Sequence, residues 1–239
     1  MLISIFSPKG GVGKTTVALA LAEALSKNHR VVALELDFSP GDFVSLLSPL
    51  DPNKNILTYK YDILSAVQRP QGKNFDVIVG GYPGEDRYIK REDITRCVEV
   101  LKFKYEYVLV DIQPGIVELV VDVLQQSDKV FIVTEENYIT PVARINAVLD
   151  WIQVNNLSDL KNFVFVRNKV TNKELVYIDK IKHSMKLVHD IPFYKKLKGY
   201  DDRRLQKNIK KLAGVLQNGT FRENKKFWFF RRIFNKSYL

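Results

Sequence analysis

Cysteine is nearly missing from this 239-residue chain. The single Cys97 cannot close an internal disulfide, and with no Cys-x-x-Cys or Cys-x-Cys pair there is no thiolate metal site, which fits a reducing, cytoplasmic compartment. Long hydrophobic runs are missing as well. No stretch of about 18 apolar residues occurs, so a spanning helix is not expected. The N-terminus shows no basic segment leading into an apolar stretch with a small-residue cleavage site, and the expectation is a chain without a secretion signal. Repeats, low-complexity tracts and Pro/Gly-rich linkers are also lacking, which favours one domain. With 46% hydrophobic residues, a chain of this length can bury a substantial core.

The net charge of +10 is unevenly placed. Residues 1–180 hold 21 Lys and Arg against 23 Asp and Glu, whereas residues 181–239 hold 16 against 4. All of the excess positive charge therefore lies in the last quarter of the chain. Such asymmetry points to a polyanionic surface, either nucleic acid or anionic lipid; a solvated basic face that maintains solubility is the plainer reading.

Short apolar runs alternate with helical patterns. Strands are predicted over 2–6, 30–36, 75–80, 105–111, 128–134 and 161–167, and helices over 15–28 and near 90–103, 116–126, 138–153 and 173–184. The strands are apolar on both faces, as strands between two helix layers must be. The expected fold is α/β, a mainly parallel sheet flanked by helices on both faces. Residues 49–73 have weak periodicity.

Straight after the first strand the chain reads "SPKGGVGKTT". Glycines at 10, 11 and 13 let the backbone turn its N–H groups toward phosphate oxygens, and a helix opening near Lys14 adds its positive dipole end. In such a loop Lys14 reaches the β- and γ-phosphates and the Thr15 hydroxyl meets Mg²⁺. The strict G-x-x-x-x-G-K-[ST] spacing fails because position 8 is proline, and a second lysine, Lys9, needs a separate explanation.

The octet Lys9, Gly10, Gly11, Val12, Gly13, Lys14, Thr15 and Thr16 resembles the deviant Walker A motif of the ParA/MinD family of P-loop ATPases, in which a signature lysine precedes the glycine pair. The resemblance spans about residues 1–217. It implies ATP and Mg²⁺ as cofactors, slow hydrolysis of ATP to ADP and phosphate, and a homodimer that sandwiches two nucleotides. Lys9 then reaches the partner's γ-phosphate in trans, much as an arginine finger does. "VVALELDFSPGD" is similar to the family's second-strand motif of two aspartates one residue apart; the second is Asp37, and Glu35 replaces the first. "YEYVLVDIQPG" resembles the Walker B segment, ending in Asp111 before a loop with Pro114 and Gly115. "FVFVRNKV" resembles the late strand whose asparagine, here Asn168, meets the adenine base, and "DIPFY" (190–194) falls where the family has a proline loop near that base. The implied catalytic residues are Lys9, Lys14 and Asp37. The implied nucleotide contacts are residues 9–16 and Asn168, and the implied magnesium residues are Thr15, Asp37 and Asp111.

Within the family the pattern is most similar to the CpaE/TadZ and MinD-like branches, which implies positioning of a pilus, secretion or division assembly by a switch that a protein partner stimulates or reads. The Asp-Pro-Gln ending of partition ATPases is replaced by "DFSPG". The last segment, 218–239, reads as a basic aromatic tail after a 1–217 ATPase domain. Within "FRENKKFWFFRRIFNKSYL", Phe227, Phe230 and Phe234 share one helical face, while Arg231, Arg232 and Trp228 lie among residues of the other side. Aromatics opposite Lys and Arg describe an interfacial helix on an anionic membrane, here the inner face of the cell membrane. A helix docked on the protein's own core, or a nonspecific DNA grip of partition type, stays open, as does a nucleotide-binding scaffold with negligible hydrolysis.

Overall fold

Runs such as "LISIF" and "VVALEL" have no polar stripe to offer water, so they form strands only where both faces are covered. The computed structural model describes residues 1–38, 41–115, 118–135, 139–171 and 188–218. In it these runs become β1 (Leu2–Phe6) and β2 (Val31–Leu36) of a seven-stranded sheet that also holds β3 (Asp76–Ile78), β4 (Tyr107–Ile112), β5 (Lys129–Glu135), β6 (Phe163–Val170) and β7 (Val188–Pro192). The order is β3-β2-β4-β1-β5-β6-β7, and every neighbouring pair is parallel.

Alternation along each strand divides the core in two. Val31 and Ala33 of β2 pack on one side with α1 (Lys14–Leu25) and α6 (Arg203–Asn218). Val32, Leu34 and Leu36 pack on the other, with residues of α3 (Arg91–Lys104), α4 (Glu118–Gln126) and α5 (Ile139–Val154). Helix α1 lies between sheet and α6, which explains its Ala- and Leu-rich sequence. Gln206 of α6 donates to the Ala20 carbonyl (3.0 Å), an unusual polar tie between two packed helices. A four-residue helix, α2 (Phe43–Leu46), follows the loop after β2.

The expected strands and the helices over 15–28 and near 90–103, 116–126 and 138–153 are met in type with small shifts in bounds; α6 is additional, and three elements differ. The 75–80 strand shortens to β3 because the chain turns away at Val79, whose neighbour across the gap is Asn55. Residues 49–73 form a strap that holds a short 3₁₀ turn (Ile63–Ala66) and pairs Gln68 with Val77 antiparallel, covering that edge of the sheet. Residues 190–192, the first three of the 190–194 stretch expected as a loop near a base, belong to β7, with Pro192 at the edge where a missing N–H is tolerated. The helix expected near 173–184 and all of the 218–239 tail beyond Asn218, with Phe227, Trp228, Phe230, Arg231, Arg232 and Phe234, lie outside the described residues. Among the described residues no helix is long and apolar enough to cross a membrane.

Candidate functional site

Strand β1 occupies the middle of the sheet, and the chain leaves its carboxyl end directly into the glycine loop. In open α/β sheets this crevice beyond the carboxyl ends is where ligands bind. Gly11 (φ 75°) and Gly13 (φ 93°) adopt the left-handed conformation, Gly13 as the N-cap of α1. The Gly13 carbonyl starts the helix by accepting from Val17 N (3.0 Å). Gly10 and Gly11 are exposed, Thr15 and Thr16 half-buried, and Val12 and Lys14 buried. The Lys14 ammonium lies 3.9 Å from the half-buried Asp37 carboxylate. Lys14, Asp37, Thr15 and Asp111 are thus brought together.

Asp111, on the neighbouring strand, is 1% exposed, and neither carboxylate oxygen completes a hydrogen bond with a described residue. Burial pushes its pKa up to about 7, against the Thr15 hydroxyl and Lys14, which favour its charge, and with Asp37 and Asp42 adding repulsion. An acceptor-only group buried without partners is costly unless something supplies positive charge. Mg²⁺ takes oxygen ligands, keeps much of its water, and commonly uses one or two carboxylates plus substrate phosphates. Among the described residues no group of three His, Cys, Asp or Glu could hold a metal by itself. Thr15, Asp37 and Asp111 fit a Mg²⁺–nucleotide rather than a bare ion.

Glu35 sits beside Asp111 in strand register and is 2% exposed. Its Oε1 accepts from Phe43 N (2.8 Å) and its Oε2 from Gly80 N (3.0 Å). A Cβ at Gly41 would lie 2.3 Å from the Glu35 carboxyl carbon, so any side chain there would push the Glu35 carboxylate from its place. Burial raises the Glu35 pKa to about 7, partly offset by these backbone donors, with Asp111 adding repulsion. Where the family pattern has an aspartate, the longer side chain ties the loop that follows Asp37 to the chain leaving β3.

On the other flank, Asn168 is buried against the loop. Its Nδ2 donates to the Val12 carbonyl (2.8 Å), and its Oδ1 accepts from Lys169 N (3.0 Å). A second Nδ2 hydrogen and a second Oδ1 lone pair remain in the side chain's inventory. Lys9, 36% exposed at its side chain, lies 3.5 Å from Glu135 Oε2. The ammonium of Lys169, a left-handed residue (φ 58°), donates to the Gly11 carbonyl (3.0 Å) and to Glu135 Oε1. Pro114, in the loop after β4, packs near Gly10. Sequence reasoning missed Glu135 and Lys169. Their signal was positional, the last residue of "VFIVTE" and the neighbour of Asn168. It missed also the bidentate pair of buried Arg167 with Asp190 (2.7 and 2.5 Å) that fastens β7 to β6.

Comparison with known proteins gives a consistent assignment. The model for the CobQ/CobB/MinD/ParA nucleotide-binding domain matches residues 3–212. The chain is 28% identical over 188 residues to the sporulation initiation inhibitor protein Soj of Bacillus subtilis, covering 73% of this chain and 69% of Soj. Its fold matches a ParA family ATPase from Chlorobium tepidum (TM-score 0.75, 20% identity, 89% of this chain and 98% of that one). It also matches the septum site-determining protein MinD of Pyrococcus horikoshii complexed with Mg-ADP (TM-score 0.71, 21% identity, 91% and 96%).

Proposed function

The chain belongs to the CobQ/CobB/MinD/ParA nucleotide-binding family, and from that premise we propose that it is a slow ATPase whose ATP-bound form is a homodimer positioning a cellular assembly. The observation that carries this is the conjunction at the end of β1. A left-handed glycine loop and buried Lys14 stand beside Asp111, which has the Thr15 hydroxyl and Lys14 near it but completes no hydrogen bond with either carboxylate oxygen among the described residues. Bound Mg²⁺ would neutralise charge on the transferring phosphoryl group. Lys14 holds the phosphates, Thr15 and Asp111 hold the metal and its water, and Asp37 orients the attacking water. Residues 9–16 cradle the phosphates through backbone N–H groups, and Asn168 reads the base with its remaining donor and acceptor. Lys9 reaches the nucleotide of a second copy. Sedimentation velocity with Mg-ATP and with Mg-ADP tests the switch: dimer only with ATP in wild type, and loss of that dimer in Lys9→Ala. Equal dimerisation of Lys9→Ala and wild type removes the in-trans role.

Where the dimer acts follows from its basic surface. Between 195 and 211 the chain carries eight Lys and Arg against two Asp, and Lys195, Lys196, Lys198, Arg203, Lys207, Lys210 and Lys211 are exposed. Asp201 is engaged by Lys73 (2.9 Å) and Asp202 by Arg204 (2.8 Å), so of the eight basic residues Asp202 offsets one and the other seven keep that face positive. The face and the aromatic tail together favour the inner surface of an anionic membrane, in the manner of the CpaE/TadZ and MinD-like branches. Two tails per dimer raise apparent affinity through avidity. The exposed lysines favour, as the second reading, a partition-type grip on DNA phosphates. Cosedimentation with anionic liposomes and with DNA, each with ATP and ADP, separates them. Truncation after Gly219 abolishes liposome binding on the first reading and leaves DNA retention on the second.

A further inference from the structure

Among the described residues, two lysines and one carboxylate meet where β5 and β6 end beside the phosphate loop. Glu135 and Asn168 are register partners on adjacent strands, which brings Lys169, the next residue, against Glu135. Glu135 offers Oε2 to Lys9 at 3.5 Å and Oε1 to Lys169, whose ammonium also holds the Gly11 carbonyl (3.0 Å). The three side chains are 36%, 18% and 45% exposed for Lys9, Glu135 and Lys169, a half-wet site where one ion pair is a small bias and not a lock.

Resting on the in-trans role of Lys9, we propose that Glu135 and Lys169 are positioning residues for it: Glu135 holds Lys9 on its own subunit, and Lys169 competes for the same carboxylate, so together they set how readily Lys9 is released to a second copy of this chain. Charge balance gives the direction. When Lys9 leaves, Glu135 is not left unpaired, because Lys169 stays on the other oxygen. Without Lys169 the departure would strand a largely buried carboxylate, and Lys9 would be held more firmly. Without the Glu135 charge the hold weakens. The two substitutions therefore move dimerisation in opposite directions, which a merely structural role of either residue would not do.

The test is the dimer dissociation constant of the full chain at saturating Mg²⁺ and a non-hydrolysable ATP analogue. Glu135→Gln, close to isosteric, is expected to tighten the dimer about two- to five-fold, and Lys169→Met to weaken it by a similar factor. Neither should shift the much weaker dimerisation of a Lys9→Ala background, read at chain concentrations raised until it is measurable, which is the signature of action through Lys9. Should Lys169→Met lose nucleotide through its contact with Gly11, Glu135→Gln with and without Lys9→Ala decides alone. If Lys9→Ala weakens the dimer while Glu135→Gln has no effect or weakens it too, the positioning role is overturned and the in-trans role stands. If Lys9→Ala dimerises like wild type, the in-trans role fails first and the positioning role with it.

Discussion

On the β2–β4 side of the phosphate loop, two carboxylates are buried with little positive charge to meet them: Asp111 with neither oxygen bonded, and Glu35 satisfied only by backbone N–H groups. On the β5–β6 side, among the described residues, a single carboxylate, Glu135, serves two lysines at a half-exposed rim. The first side is short of cations and stays so until one is supplied, which suits a site that binds Mg²⁺ with nucleotide. In the second, two lysines share one described carboxylate, which suits a site that gives one up. Lys14 and Lys9, five places apart in the octet, thus belong to opposite electrostatic regimes.

The largest expected effect lies on the buried side. Lys14→Ala removes the ammonium beneath the loop, and truncating one partner of a buried charge pair costs about 2–5 kcal/mol. Affinity for Mg-ATP by calorimetry is expected to fall about 100-fold or more, with far-UV circular dichroism unchanged. Retained affinity would place the phosphates elsewhere.

Much of this side was legible in the sequence because its signals are local. A strand, three glycines, a lysine and a threonine within a few residues determine a loop and a helix start, and Asp37 and Asp111 end runs of strand residues. What was not legible depends on sheet order. Lys169 meets Gly11 across 158 positions of sequence because β1, β5 and β6 are neighbours. The role of Glu35 was hidden for a related reason: it depends on Gly41 and on Gly80, 45 residues away, leaving room for a longer acid. Strand β7, "VHDIP", is short and polar, and Asp190 is held by Arg167 from β6 and through its carbonyl by Asn208 from α6, contacts that no local pattern announces.

Next in size is the removal of the orphaned charge. Asp111 and Glu35 have folded-state pKa values of about 7, above their ordinary 3.8 and 4.5. Such groups bind more protons folded than unfolded between those limits, so stability without nucleotide should fall as pH rises from about 4 to about 7. Asp111→Asn is expected to flatten part of that slope and raise stability at pH 8 by about 1–3 kcal/mol, a few degrees in Tm, while abolishing the Mg²⁺ dependence of nucleotide binding. An unchanged pH profile of Tm would mean that Asp111 is not an uncompensated charge.

Glu35→Asp addresses the same side through geometry. The shorter acid cannot reach both Phe43 N and Gly80 N, and an unsatisfied buried donor costs about 1–3 kcal/mol. Stability is expected to fall by that amount, with faster amide exchange at Phe43 and Gly80. Protection of both amides equal to wild type would show that the tie is not Glu35's.

The smallest effect belongs to the lysine-rich rim, and there a small number is informative. A half-exposed ion pair contributes about 0–1 kcal/mol, and in Lys9→Ala the Glu135 carboxylate keeps Lys169. The stability of Lys9→Ala without nucleotide is therefore expected within about 0.5 kcal/mol of wild type by urea titration, even where its ATP-dependent dimer is lost. A group that matters to assembly and scarcely to the monomer's stability is what a residue destined for another subunit must be, since every interaction that fixed it at home would oppose its transfer. A loss of several kcal/mol in that titration would instead make Lys9 part of the fold, and the contrast between the two flanks of the loop would collapse.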